Sequence, residues 1–208
     1  MIPFNEIPSV QFQKKMQPYA RRIIEAQFPG SCIKELDEIG YKLSPSEILY
    51  LDQKLGIDRY LQLSGGQRLS LQEKYRTFGG YGYDDISLEY VNAPKSYHES
   101  EGEWTYCIAN ICFYAWANKE ETDFIDWLLI DFMKLKLLGE EYEGIKRIST
   151  TCDHNIDGAC NYIRIPTYLV DEAIMARGKK KLIRPPSPGH HHQPLVAARY
   201  HHLFGLVA

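Results

Sequence analysis

The chain has 208 residues, 44% of them hydrophobic and 25% charged, which is enough for one domain with a substantial core and too well balanced for a disordered chain. A net charge of −3 and a pI near 6.2 argue against a protein that coats nucleic acid non-specifically, because such proteins draw their affinity from clustered positive charge. Cys32, Cys107, Cys112, Cys152 and Cys160 are odd in number and scattered in spacing, so no disulfide framework is expected. Met1 to Val10 is short, mixed and broken by Pro3 and Pro8, unlike a secretion signal, and no stretch reaches the roughly 20 apolar residues needed to cross a bilayer. These features predict a reduced, cytoplasmic protein without a membrane segment.

Residues 11–28 predict an amphipathic helix, with Phe12, Met16, Tyr19, Ile23, Ala26 and Phe28 near helical spacing. Lys14, Lys15, Arg21 and Arg22 crowd its other side, and a solvated face is the favoured reading for them over phosphate contacts. Pro18 predicts a kink or a helix that starts near it, and Pro29-Gly30 a stop. Ser44-Pro45-Ser46-Glu47 reads as a helix start, with Ser44 as cap and Pro45 in the first turn.

Residues 57–63 (IDRYLQL) alternate as a strand, Ser64-Gly65-Gly66-Gln67 signals a hairpin turn, and 68–76 (RLSLQEKYR) form the returning strand. Residues 85–91 then predict the third strand of a meander. The nearly continuous apolar run 106–116 suits a strand buried on both faces. Glu120 to Leu138 reads as a helix capped by Thr122, 161–165 as a last strand and 167–176 as a short helix. The predicted architecture is a three-layer α/β fold with a mixed central sheet flanked by helices, in a single domain spanning 1–176. Residues 177–208, basic and Pro-rich and then His-rich, predict a linker and a tail outside the fold, the tail resembling vector-derived sequence more than a native segment.

The hairpin carries the candidate chemistry. Side chains alternate faces along a strand, so Asp58, Tyr60 and Gln62 share one face of the first strand, and Ser70, Gln72, Lys74 and Arg76 share one face of the second. Paired in the right register, Asp58 lies beside Gln72 and Lys74. A carboxylate and a second side-chain oxygen can hold Mg2+, a hard cation that prefers oxygen donors, and the main-chain carbonyl of Glu73 can add a third. Such an ion polarises a phosphate and activates water, while an ammonium such as that of Lys74 stabilises the charge that develops. The Glu73 side chain points to the opposite face and is read as structural.

GID at 56–58, a glycine turn, and LQEKYR at 71–76 resemble the PD-(D/E)xK nuclease superfamily, the restriction-endonuclease-like fold. Asp58 matches the family's strand Asp and Lys74 its motif Lys, while Gln72 stands where an acid is commoner. The stretch GEWTYCIANICFYAW at 102–116 is similar to the family's Trp-bearing loop before a buried strand. The resemblance implies a divalent-metal-dependent (Mg2+ or Mn2+) hydrolase of phosphodiester bonds in DNA, with metal on Asp58, Gln72 and the Glu73 carbonyl. It also implies an acid from the first helix, best matched by Glu25 with Glu47 as alternative, and pairing of two copies to cut both strands.

Other readings stand beside this one. Asp58, Gln72 and Lys74 also fit the solvated face of an antiparallel hairpin in an unrelated interaction domain. Gln72 keeps open a catalytically inactive relative that binds nucleic acid or a protein. Cys152, His154 and Cys160 lack the fourth ligand and paired spacing that zinc prefers, and Gly79, Gly80 and Gly82 precede neither a Lys-Ser/Thr pair nor a helix, as a phosphate loop requires.

Overall fold

A computed structural model describes residues 6–38, 43–80, 85–92, 100–141, 160–169 and 171–179. Helix α1 (Pro8–Gln27) starts on a proline and runs on through Pro18. It buries Met16, Ala20 and Ile24 against the sheet, and this packing offsets the hydrogen bond that an interior proline forfeits. Pro18 therefore does not begin the helix. Strand β1 (Cys32–Glu35) follows, and helix α2 (Pro45–Leu55) begins as its sequence suggests. Ser44 accepts the Glu47 N–H and the Glu47 carboxylate accepts the Ser44 N–H at 2.7 Å, a reciprocal cap.

Strand β2 (Arg59–Gln62) pairs antiparallel with both β1 and β3 (Arg68–Arg76). Strand β6 (Ile111–Ala117) runs parallel to β3, followed by β7 (Phe124–Asp131) and β9 (Ile174–Lys179). The result is a six-stranded mixed sheet in the order β1-β2-β3-β6-β7-β9. Alternate residues of β6 enter two separate cores. Ile111, Phe113 and Ala115 pack with α1, whereas Cys112, Tyr114 and Trp116 face the other side.

That other side differs from expectation. It is covered by helix α4 (Phe132–Glu141) and by a second sheet, in which β4 (Asp85–Asn92) lies between β5 (Ser100–Glu101) and β8 (Cys160–Pro166). Residues 85–91 are thus a strand, as predicted, but not the third member of the meander, a place taken by β1. The segment predicted as a helix from Glu120 to Leu138 divides: Phe124–Asp131 is strand β7, and the chain is helical, as predicted, only from Phe132 onwards, in α4. The β7 pattern FIDWLLID is buried at six of eight positions, so burial between β6 and β9 leaves no polar face for a helix to show. Thr122 bonds Asn118 in the β6–β7 turn instead of capping a helix: its N–H reaches Asn118 Oδ1 at 2.7 Å. Within 167–176, predicted as a helix, Thr167–Leu169 and Asp171–Ala173 form short 3-10 turns, and β9 starts at Ile174. Arg177, Gly178 and Lys179, predicted to open the linker, complete that strand.

Cys152 and His154, the last part of the linker and the His-rich tail lie outside the described residues. No helix among the described residues is long and apolar enough to cross a membrane.

Candidate functional site

The β2–β3 ladder ends at Arg59↔Leu71, while β3 runs on to Arg76 beside β6. Beyond Leu71, the β2-facing edge of β3 has no strand partner in this sheet among the described residues. Asp58 sits at that step. Its N–H donates to the Leu71 carbonyl at 2.8 Å, and its Oδ2 accepts the Glu73 N–H at 2.6 Å. The carboxylate thus satisfies a main-chain donor that the end of β2 leaves open. The N–H and C=O of one strand residue point to the same edge, so the Glu73 carbonyl also faces the Asp58 side.

Gly56 makes this placement possible. It closes α2 in the left-handed conformation (φ 60°), and a Cβ there would lie 2.8 Å from the Cys107 side chain. The chain then passes from α2 into β2 through Gly56, Ile57 and Asp58 alone.

Asp58, Gln72 and Lys74 line one cleft of about 1230 Å³, together with Asp52, Glu89 and Glu103. The Gln72 side chain is buried, and its Oε1 accepts a weak hydrogen bond from the Cys107 thiol at 4.0 Å. Burial pushes the Cys107 thiol up to about 12, so Cys107 is no nucleophile at neutral pH. The Lys74 ammonium meets Glu103 at 2.5 Å and Glu89 at 3.5 Å. Burial alone would lower the Lys74 pKa, but these two carboxylates more than offset it and hold it above its ordinary value. Lys74 is therefore a fixed cation, not a proton acceptor.

Asp58 behaves in the opposite sense. Burial first, then the negative charge of Glu73, and further that of Asp52 and Glu103, hold its pKa well above the ordinary aspartate value. The bond from the Glu73 N–H pulls the other way without cancelling them. A carboxylate crowded by like charge binds a proton tightly, and the same field favours any cation that replaces the proton.

Comparison of the chain with family models, curated proteins and solved structures gives no match. The site rests on its own geometry. Among the described residues no group of three or more His, Cys, Asp and Glu side chains stands where it could hold a metal. Asp58, Gln72 and Glu73 all line the cleft, where the oxygen-bearing groups on the Asp58 side are a carboxylate, an amide and a main-chain carbonyl.

The acid candidates on helices are not brought to this group. Glu25 Oε1 accepts the Ile33 N–H at 2.8 Å, tying α1 to β1, and the residue does not line the cleft. Glu47 is held in the α2 cap, although it begins the same helix as Asp52. The Glu73 carboxylate lies on the opposite face, paired with Arg59 Nε at 2.7 Å in a buried ion pair. On α1, Lys15 pairs with Glu121, Arg21 with Glu35 and Arg22 with Asp123. Lys14 lines the cleft.

Sequence reasoning missed Asp52, Glu89 and Glu103. Asp52 carries a local signal, because an acid in the last turn of a helix opposes the macrodipole. Nothing local marks Glu103. It reaches Lys74 through the short helix α3 (Glu103–Tyr106), whose cap Gly102 donates its N–H to the Tyr90 carbonyl at 2.8 Å. A Cβ on Gly102 would stand 2.5 Å from the main-chain carbonyl of Glu89 and 2.7 Å from that of Tyr90, and neither can move without disturbing β4. Gly102→Ala is expected to lift α3 from β4, separate Glu103 from Lys74 and cost about 1–3 kcal/mol in a denaturant titration. A midpoint equal to wild type would show that α3 docks without this close approach.

Proposed function

We propose that this protein is a divalent-metal-dependent nuclease that hydrolyses phosphodiester bonds in DNA, on a restriction-endonuclease-like fold. The observation that carries the reading is the convergence of Asp58, Gln72 and Lys74 in one cleft, at the point where β3 outruns β2. The coarse frame agrees with it: a mixed sheet with an antiparallel β1-β2-β3 meander and β6 parallel to β3.

The donor set suits Mg2+ or Mn2+. Asp58 Oδ2 is engaged by the Glu73 N–H, while Oδ1 has no hydrogen-bond donor among the described residues, and Gln72 Oε1 and the Glu73 carbonyl are further hard donors. Asp58, Gln72 and the Glu73 carbonyl would hold the ion. When bound, the ion supplies Lewis acidity to the phosphate and lowers the pKa of a water. Lys74, kept protonated by its carboxylate neighbours, neutralises charge that builds on the phosphate oxygens. Asp58 must lose its proton before it can serve, so cleavage is expected to rise with pH well above the ordinary aspartate range.

One observation favours a second reading, a nuclease-fold chain that binds nucleic acid or a protein without cutting. Lys74 is already neutralised by Glu103 and Glu89, and Gln72 removes one negative charge from the metal set. A cleavage assay on duplex and single-stranded DNA with Mg2+ or Mn2+, comparing wild type with Asp58→Ala, separates the two. The nuclease reading expects a loss of at least about 100-fold in the variant, the scale seen when a preorganised electrostatic group is removed. Equal cleavage by both proteins would sink it. Metal-dependent DNA binding without cleavage would support the second reading.

A further inference from the structure

We infer that Glu103 is a positioning residue that holds the Lys74 ammonium at its working place in the cleft. The inference rests on the nuclease reading for what Lys74 does, and on geometry for how it is held. Lysine has a long, flexible stem and loses considerable rotamer freedom when its head is fixed. A catalytic cation therefore needs a partner, and Glu103 is built as one. Its side chain is 4% exposed, and its Oε2 accepts a hydrogen bond from Lys74 Nζ at 2.5 Å. The main chain beneath it is locked by the Gly102 contact with β4 and by the Cys107 N–H, which donates to the Glu103 carbonyl at 3.0 Å.

The groups facing Lys74 come from every side. Glu103 and Tyr106 lie on α3, Glu89 on β4, Cys112 on β6, Arg76 two residues along β3, and Asp58 before β2. Glu103 and Glu89 oppose Lys74 in sign, and Glu89 is the weaker partner, at 3.5 Å with a side chain 30% exposed. Removing the Glu103 charge should therefore free the ammonium to leave its place in the cleft. Removing the Glu89 charge should do less.

The test uses the full chain and four variants, Glu103→Gln, Glu103→Asp, Glu89→Gln and Asp58→Ala, each checked for folding by its thermal midpoint. Two quantities are read: the mobility of the Lys74 side chain by NMR relaxation, and the kcat and KM of Mg2+-dependent cleavage of a labelled DNA duplex. In Glu103→Gln the Lys74 side chain should become more mobile, and kcat should drop by about 10- to 100-fold with KM less affected. Glu103→Asp should recover part of both effects, and Glu89→Gln should show a smaller change.

Unchanged Lys74 mobility in a folded Glu103→Gln protein would overturn the inference whatever the cleavage result. Raised mobility with unchanged kcat would overturn it too, while leaving the nuclease reading standing. No Mg2+-dependent cleavage by wild type would instead bring down the nuclease reading, and with it any catalytic role for the pair, even if the NMR result held.

Discussion

Asp58→Asn is expected to abolish the proposed cleavage and at the same time to stabilise the protein at neutral pH. Asn keeps the shape of the side chain and an oxygen that can accept the Glu73 N–H, so the contact that closes the β3 edge survives. It removes a charge that the fold disfavours through burial and through Glu73, Asp52 and Glu103. Because the folded state holds the Asp58 proton more tightly than the unfolded chain, the stability linked to this group is fully present below the ordinary pKa of 3.8. It is lost as pH rises towards the raised folded value.

Wild type should therefore lose stability over that window relative to Asp58→Asn, and the gap between the two should stay open above it. Mg2+ should reverse the order by binding the ionised carboxylate in the folded state alone. At 100 times its dissociation constant, a ligand of this kind adds about 2.7 kcal/mol. Denaturant titrations of both proteins from pH 5 to pH 8, with and without Mg2+, measure each part. Equal stabilisation of the two proteins by Mg2+ would remove Asp58 from the metal site. A less stable variant at neutral pH would show that the carboxylate is a structural cap with no electrostatic penalty. A site that costs stability when empty is what a functional site, as opposed to a solvated hairpin face, is expected to show.

The second large effect lies on the other face of the same strand. Arg59 and Glu73 are both almost wholly buried and joined by a two-point ion pair, with Nη2 also 3.4 Å from Tyr75 Oη. Glu73→Ala leaves the Arg59 guanidinium in a low-dielectric core with Glu35, at 3.5 Å and 43% exposed, as its remaining acid. Loss of one partner of a buried pair typically costs about 3–5 kcal/mol, and Glu35 should keep the loss towards the lower end. The double replacement Arg59→Met with Glu73→Leu should recover most of it, since two apolar side chains of similar volume need no partner. Urea titrations of the two variants provide the check. A Glu73→Ala protein as stable as wild type would mean that the guanidinium finds water or another acceptor when the carboxylate is gone.

Much of the candidate site is legible in the amino-acid sequence alone. The period-two pattern of RLSLQEKYR assigns Gln72 and Lys74 to one face and Glu73 to the other, and the glycine turn ties that strand to the one after Asp58. The Ser44–Glu47 cap, the start of α2 and the extent of β3 are equally local matters, decided by residues within a few positions of one another. Each depends on the backbone conformation of a short segment, which its own residues largely dictate.

The features that differ from the sequence expectation depend on partners distant in the chain. FIDWLLID is apolar enough for either a buried helix or a buried strand, and only its neighbours β6 and β9 decide for a strand. DISLEYV is plainly a strand, yet nothing in it says that it joins β8 in a second sheet rather than β3. Glu25 has the right chemistry, but the packing of α1 commits it to Ile33, while Asp52 supplies the nearby negative charge. The resemblance of Asp58, Gln72 and Lys74 to a nuclease motif concerns which residues are present. The tertiary structure alone decides that Asp58 closes the edge of β3 beyond β2, that Glu103 crosses from α3 to pair with Lys74, and that burial, with crowding by like charge, makes Asp58 hold its proton tightly. Burial and the Coulomb interaction are set by proximity in space, and the order of residues along the chain does not carry that distance.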